Sequence, residues 1–134
     1  MILSAFDTGD MTGCVLIEFT SEGNILSSEY RTVIAQDLDD VADDFIHRSN
    51  RVIIERIPVS STPKLHVIQN KVFVACDKHN KEFTLIFPGM WKPFVKKATN
   101  WTKTVKSQHV QDAFNMLRYH VLFEHGFQLG DLHE

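Results

Sequence analysis

The spacing of apolar positions changes several times along the chain, and each change marks an element. Residues 1–7 (MILSAFD) are apolar and close on an acid, as a buried strand does. Thr8-Gly9-Asp10 and Thr12-Gly13 supply turn chemistry. Residues 14–19 (CVLIEF) and 25–33 (ILSSEYRTV) read as two further strands, with a turn at 21–24 (SEGN) between them. Three strands joined by short turns predict an antiparallel meander, its less apolar third strand nearer an edge. The period then becomes helical. Leu38, Val41, Ala42, Phe45 and Ile46 form the apolar stripe of a helix over about 36–48. Val52-Ile53-Ile54 is β-branched throughout and ends at Glu55, a central buried strand.

Thr62 and Pro63 then suit an N-cap and a first helical position, predicting a helix to about residue 79 with Leu65, Ile68, Val72, Ala75 and Cys76 on one face. Val-Phe-Val-Ala (72–75) also suits a strand, with a hairpin turn at 69–71, so both readings stay open. Residues 83–87 (FTLIF) form another strand, stopped by Pro88-Gly89. A short helix over about 90–97 and a polar basic loop to about 107 follow. The last helix, over about 108–125, carries Val110, Ala113, Phe114, Leu117 and Val121 as its stripe and Gly126 as its C-cap. The order is βββαβαβα with a small helical insertion. It predicts an α/β fold: a mixed five-stranded sheet, its first three strands antiparallel, flanked by helices. At 134 residues this is one domain.

Composition is that of an ordinary soluble protein, 43% hydrophobic and 23% charged. No apolar run approaches the ~20 residues of a membrane helix, so no membrane partner is expected. The first residues lack the basic start of a signal peptide. Cys14 and Cys76 have no metal-type spacing, and a reduced, cytoplasmic protein is the simpler expectation, although a disulfide stays open. A net charge of −3 argues mildly against a nucleic-acid partner, but the charge is unevenly spread. Asp37, Asp39, Asp40, Asp43 and Asp44 crowd the first helix, most simply as a solvated face. Residues 83–111 hold no acid at all, and Lys92, Lys96, Lys97, Lys103 and Lys106 fall there among Trp91, Phe94 and Trp101. Such a segment could grip phosphates while Trp91 and Trp101 stack on unpaired bases. The alternative is that Trp91 and Phe94 pack in the core. His47, His66, His79, His120, His125 and His133 show no zinc spacing, and His120 and His125 read as helix-surface or terminal residues.

Three acids stand out by position. Asp7 ends the first strand, Glu55 ends the fourth, and Asp112 lies in the first turns of the last helix, three residues after His109. If the first and fourth strands are parallel neighbours, both strand-end acids emerge at one edge, the usual ligand crevice of open α/β sheets. Taken singly, each has a plainer explanation: a turn residue, a strand-end surface residue, a helix-dipole partner. Taken together they are a hard oxygen donor set, which suits Mg²⁺ or Mn²⁺. Two such ions ~3.5–4 Å apart can drive phosphodiester hydrolysis.

The motifs around these acids resemble those of RuvC-type Holliday-junction resolvases, of the ribonuclease H-like superfamily. Residues 7–13 fit the first-strand frame D-x-G-x-x-T-G, Ile53-Ile54-Glu55 resembles the second acidic strand, and residues 109–113 (HVQDA) resemble the closing H/D-x-x-D-A motif. Residues 88–92 (PGMWK) are similar to a segment of small phage-encoded members. The resemblance runs through nearly the whole chain and implies a metal-dependent endonuclease on branched DNA, acting as a homodimer, in the host cytoplasm if phage-encoded. It implies that Asp7 bridges two Mg²⁺ or Mn²⁺ ions and that Glu55 and Asp112 each complete one site. It also implies that His109 binds metal or handles the nucleophilic water, that Gly9 lets backbone approach the site, and that the products carry a 5′-phosphate and a 3′-hydroxyl. The family often has an aromatic shortly after the second acid; Arg56, Ile57, Pro58, Val59 and Ser60 include none. A ribonuclease H-like enzyme on structured RNA, such as ribosomal RNA precursors, and a catalytically silent binding domain are the other readings.

Overall fold

Alternation along β1 (Ile2–Asp7) decides the whole layout. Successive side chains of a strand point to opposite faces, so Leu3 and Ala5 enter one core and Phe6 the other. The computed structural model describes residues 1–133. β1 pairs antiparallel with β2 (Met11–Phe19), which pairs antiparallel with β3 (Ile25–Ile34). On its other side β1 runs parallel to β4 (Arg51–Glu55), and β4 runs parallel to β5 (Phe83–Ile86). The sheet order is β3-β2-β1-β4-β5, the mixed arrangement the sequence predicts.

A short 3₁₀ turn at Ala35–Asp37 leads into α1 (Leu38–Arg48), and α2 (Pro63–Lys78) follows β4. Leu38, Ala42, Phe45 and Ile46 of α1 and Ile68, Val72, Ala75 and Cys76 of α2 pack on Phe6, Cys14, Leu16, Val52 and Ile54. The open choice at 64–79 therefore resolves to helix. The stripe 68/72/75/76 meets this face at helical spacing while Val74 stays 58% exposed, and a strand would bury alternate residues instead. α3 (Pro88–Ala98) begins two residues earlier than the sequence suggests, with Pro88 in the first turn. α4 (Gln108–His125) covers the other face, setting Val110, Ala113, Phe114, Leu117 and Val121 against Leu3, Ala5, Val15, Ile17 and Ile53. Ser107 caps it by accepting from the Val110 amide at 3.3 Å, and Gly126 ends it in the left-handed region at φ 80°.

The aspartate face of α1 is solvated and paired with α2: Asp39 meets Lys71 at 3.0 Å and Asp43 meets Lys78 at 2.8 Å. Cys14 and Cys76 are free and buried, and burial pushes both thiols up. His120, expected at the surface, is buried, and burial lowers it to about 4. No helix among the described residues is long and apolar enough to cross a membrane.

Candidate metal and nucleic-acid site

Period-two alternation carries Asp7 to the face of Leu3 and Ala5, and Glu55 to the face of Ile53. That is the α4 face. The parallel β1–β4 register sets Phe6 opposite Ile54, so the two acids leave their strands at the same edge. α4 brings its first turns there. His109 Nδ1 lies 3.8 Å from Asp7 Oδ2, and Asp112, one turn further along, acts electrostatically on both strand acids. The sequence-predicted set of Asp7, Glu55, His109 and Asp112 is thus brought together.

Why α4 can come so close is written at Gly13. β2 pairs Gly13 with Asp7, and a Cβ there would sit 2.0 Å from the His109 carbonyl oxygen. Backbone meets backbone only because this residue has no side chain. The resemblance assigns close approach to Gly9, where a Cβ would meet nothing nearer than the Met11 carbonyl at 3.3 Å. Thr12 and Gly13 also lie inside β2 and not in the expected turn; the Thr12 hydroxyl closes that turn by donating to the Gly9 carbonyl at 3.2 Å.

Burial dominates the electrostatics. Asp7, with 15% of its side chain exposed, is pushed from 3.8 to about 7, first by burial and then by Glu55 and Asp112; Lys92 opposes the rise. Glu55, 9% exposed, is raised by burial, while a hydrogen bond from Trp91 and the charge of Lys92 hold it down. Glu55 is gripped at two points. The Trp91 indole donates to its Oε2 at 3.0 Å, and the Gln69 amide donates to its backbone carbonyl at 2.5 Å. The same Gln69 nitrogen donates to Thr8 Oγ1 at 3.1 Å, tying the ends of β1 and β4 together. Asp112 accepts from Gln108 at 2.8 Å. Asp7 and His109 open on a surface cavity of about 380 Å³ that runs along residues 8–11.

Among the described residues, no three histidine, cysteine, aspartate or glutamate side chains stand close enough as placed to hold an ion. One carboxylate oxygen of Glu55 accepts from Trp91 and one of Asp112 accepts from Gln108, which leaves the second oxygen of each for another partner. The chemistry of the set nevertheless fits a divalent cation. Three carboxylates and an imidazole share one edge, and burial, with the charges of Glu55 and Asp112 adding to it, keeps Asp7 protonated to near neutral pH, a penalty that a bound cation would offset.

Of the lysines predicted to bind phosphate, Lys92 stands at the acids and lowers both strand-end carboxyls. Lys96 and Lys97 end α3, Lys103 and Lys106 lie on the segment before α4, and all four are exposed. Trp91 corrects the expectation of base stacking: it is 2% exposed, packed in the core over α4, and donates to Glu55. Phe94 is half-buried and meets the rings of Trp101, Tyr119 and Phe123 edge-on. Trp101 is half-buried, with the Arg118 guanidinium stacked 4.1 Å from its ring centre.

The basic segment is held to α4 by a buried polar chain that sequence reasoning misses. Gln111 accepts from the Thr104 and Val105 amides at 2.8 and 3.3 Å and donates to Asn115, which accepts from Arg118; Arg118 in turn meets Asp131 at 3.1 Å. Gln69 and Gln111 are uncharged and fall in amphipathic helices, so no signal in the sequence separates them from surface glutamines.

No family model matches the sequence, and no curated protein does. Solved structures do match in shape. Thermus thermophilus RuvC in complex with a Holliday junction substrate superposes with a TM-score of 0.69 at 14% identity, covering 92% of this chain and 94% of that one. A second Thermus thermophilus RuvC structure gives a TM-score of 0.65 at 14% identity over 96% and 99%. The fowlpox virus resolvase bound to Holliday junction DNA gives 0.54 at 18% identity over 89% and 96%. Likeness at this identity establishes the fold: the chain has the ribonuclease H-like architecture of RuvC.

Proposed function

We propose that the chain is a divalent-metal-dependent endonuclease that hydrolyses phosphodiester bonds in branched DNA, at Holliday junctions or related branched or replication intermediates. The observation that carries this reading is the convergence of Asp7, Glu55, Asp112 and His109 on one sheet edge, with Asp7 pushed up to about 7. Partly buried carboxylates set close together cost stability, and groups perturbed in this way concentrate at functional sites. Branched DNA is favoured as substrate because two of the solved structures that share the fold hold Holliday junction DNA.

Asp7, Glu55 and Asp112 would hold two Mg²⁺ or Mn²⁺ ions, with His109 either a further ligand or the base for the attacking water. Bound there, the ions would supply an activated water and neutralise charge on the phosphodiester. The chain's own residues do the rest. Lys92 sets a positive charge beside the acids, where the phosphate must lie. His109, half-exposed on the first turn of α4, can take a proton from the attacking water. Attack at phosphorus forms one P–O bond and breaks another; the leaving oxygen becomes a 3′-hydroxyl and the phosphate stays on the 5′ end. Lys96, Lys97, Lys103, Lys106 and the open part of Trp101 hold the DNA arms. A homodimer would let two strands of a junction be cut symmetrically.

A panel of labelled four-way, three-way, flapped and linear DNA, with structured RNA beside it, tests the reading in Mg²⁺ or Mn²⁺. Metal-dependent cutting of the branched DNA is expected. Cutting of RNA alone, or of no substrate, would overturn it.

A further inference from the structure

Trp91 is the most deeply buried of the described residues of its helix, and its polar atom touches an acid. A buried indole N–H needs an acceptor, and the one it has is Glu55 Oε2 at 3.0 Å. The bond joins elements that the sheet alone does not fix. Glu55 ends β4, whereas Trp91 sits in the first turn of α3, which starts just after β5. The glutamate side chain is long enough to adopt several rotamers. Its backbone is fixed by Gln69 and its carboxylate is fixed by Trp91. The indole engages one carboxylate oxygen and leaves the other to accept elsewhere. The next residue, Lys92, sets its charge on the same acid and on Asp7.

We infer that Trp91 is a positioning residue: its indole N–H fixes the Glu55 carboxylate at the sheet edge, so that Glu55 meets a divalent cation in one pose. The inference rests on the proposed metal site. Partners that orient a metal ligand typically contribute ~10–100-fold in metal affinity or activity.

The test is a double-mutant cycle with Mn²⁺ as the probe, its affinity read by calorimetry. Trp91→Phe keeps the ring and removes the N–H. It is expected to weaken Mn²⁺ binding about tenfold or more, and to lower kcat on junction DNA with KM unchanged. In a Glu55→Gln background the same change is expected to alter Mn²⁺ affinity less than about twofold, because the two residues act as a unit. Equal losses in both backgrounds would mean a merely structural role and would overturn the inference. Fluorescence covers the case of a poorly folding Trp91→Phe protein. The chain has two tryptophans, so Trp101→Phe leaves Trp91 as the reporter. Its emission is expected to shift on Glu55→Ala, which removes the acceptor, and to be quenched by Mn²⁺ less in that variant; identical spectra would overturn the contact. The two readings separate cleanly. Mn²⁺ coupling in a protein that cuts no nucleic acid sinks the nuclease and keeps the positioning role. Branched-DNA cutting with normal Mn²⁺ binding in Trp91→Phe does the reverse.

Discussion

Gly13 of β2 and His109 of α4 touch backbone to backbone: a Cβ on Gly13 would lie 2.0 Å from the His109 carbonyl oxygen and 2.2 Å from its carbon. Neither atom belongs to a flexible side chain, so relief requires α4 to move. The first turn of that helix carries His109 and, just beyond it, Asp112.

Gly13→Ala is therefore expected to shift the two helix-borne donors away from Asp7. A misplacement of about 1 Å at a reacting centre costs ~10²-fold, and overpacking costs about 1–3 kcal/mol. Cleavage rate and urea midpoint measured together should show both losses. Gly9→Ala, with its nearest contact at 3.3 Å, should lose far less. Wild-type behaviour of Gly13→Ala would mean that α4 does not sit against β2 as described.

Asp7 links the site to stability. Its carboxyl titrates near 3.8 in the unfolded chain and about 7 in the folded one, chiefly because of burial and the neighbouring Glu55. Below pH 3.8 the residue is protonated in both states. Between there and about 7 the unfolded chain ionises first, so stability falls as pH rises, by at most about 4 kcal/mol at ~1.4 kcal/mol per pH unit. Asp7→Asn in EDTA should thus be more stable than wild type at pH 8, the gain fading toward pH 4. Chemical denaturation across that range checks the slope; a gain independent of pH would contradict it.

Much of this arrangement is legible in the sequence, for identifiable reasons. The apolar run of 1–7 and the β-branched run of 52–54 mark two buried strands that each close on an acid, so Asp7 and Glu55 share an edge once β1 and β4 are taken as parallel neighbours, and the stripe of α4 marks its buried side. What is not legible depends on contacts between distant residues. Trp91, beside Lys92 in a run of lysines, reads either as a base-stacking aromatic or as a core residue; only the turn from β5 into α3 reveals that it points inward at Glu55. Gln69 reaches Thr8 across 61 positions, and nothing local marks it. Gly13 reads as a turn residue because its close neighbour, His109, lies on the last helix. The ambiguity at 64–79 has the same origin: the run Val72-Phe73-Val74-Ala75, which also suits a strand, becomes helix because a helix-spaced face awaits it.

The lysine segment makes an ionic prediction. Each phosphate contact contributes about 0.9 to the slope of log affinity against log salt on duplex DNA. Replacing Lys96, Lys97 and Lys103 with alanine, in an Asp7→Asn background that prevents cutting, should reduce that slope by roughly 1 to 3 and weaken binding to every sequence alike. Fluorescence anisotropy at several salt concentrations reads the slope. An unchanged slope would place the phosphate contacts on another surface.

The most direct measurement sets wild-type protein and Asp7→Asn side by side on a labelled four-way junction, with Mg²⁺, with Mn²⁺ and with EDTA. Paired incisions by the wild type in either metal, none in EDTA, and none by Asp7→Asn despite retained junction binding are the predicted result. Equal cutting by Asp7→Asn, or cutting undiminished in EDTA, would contradict the account.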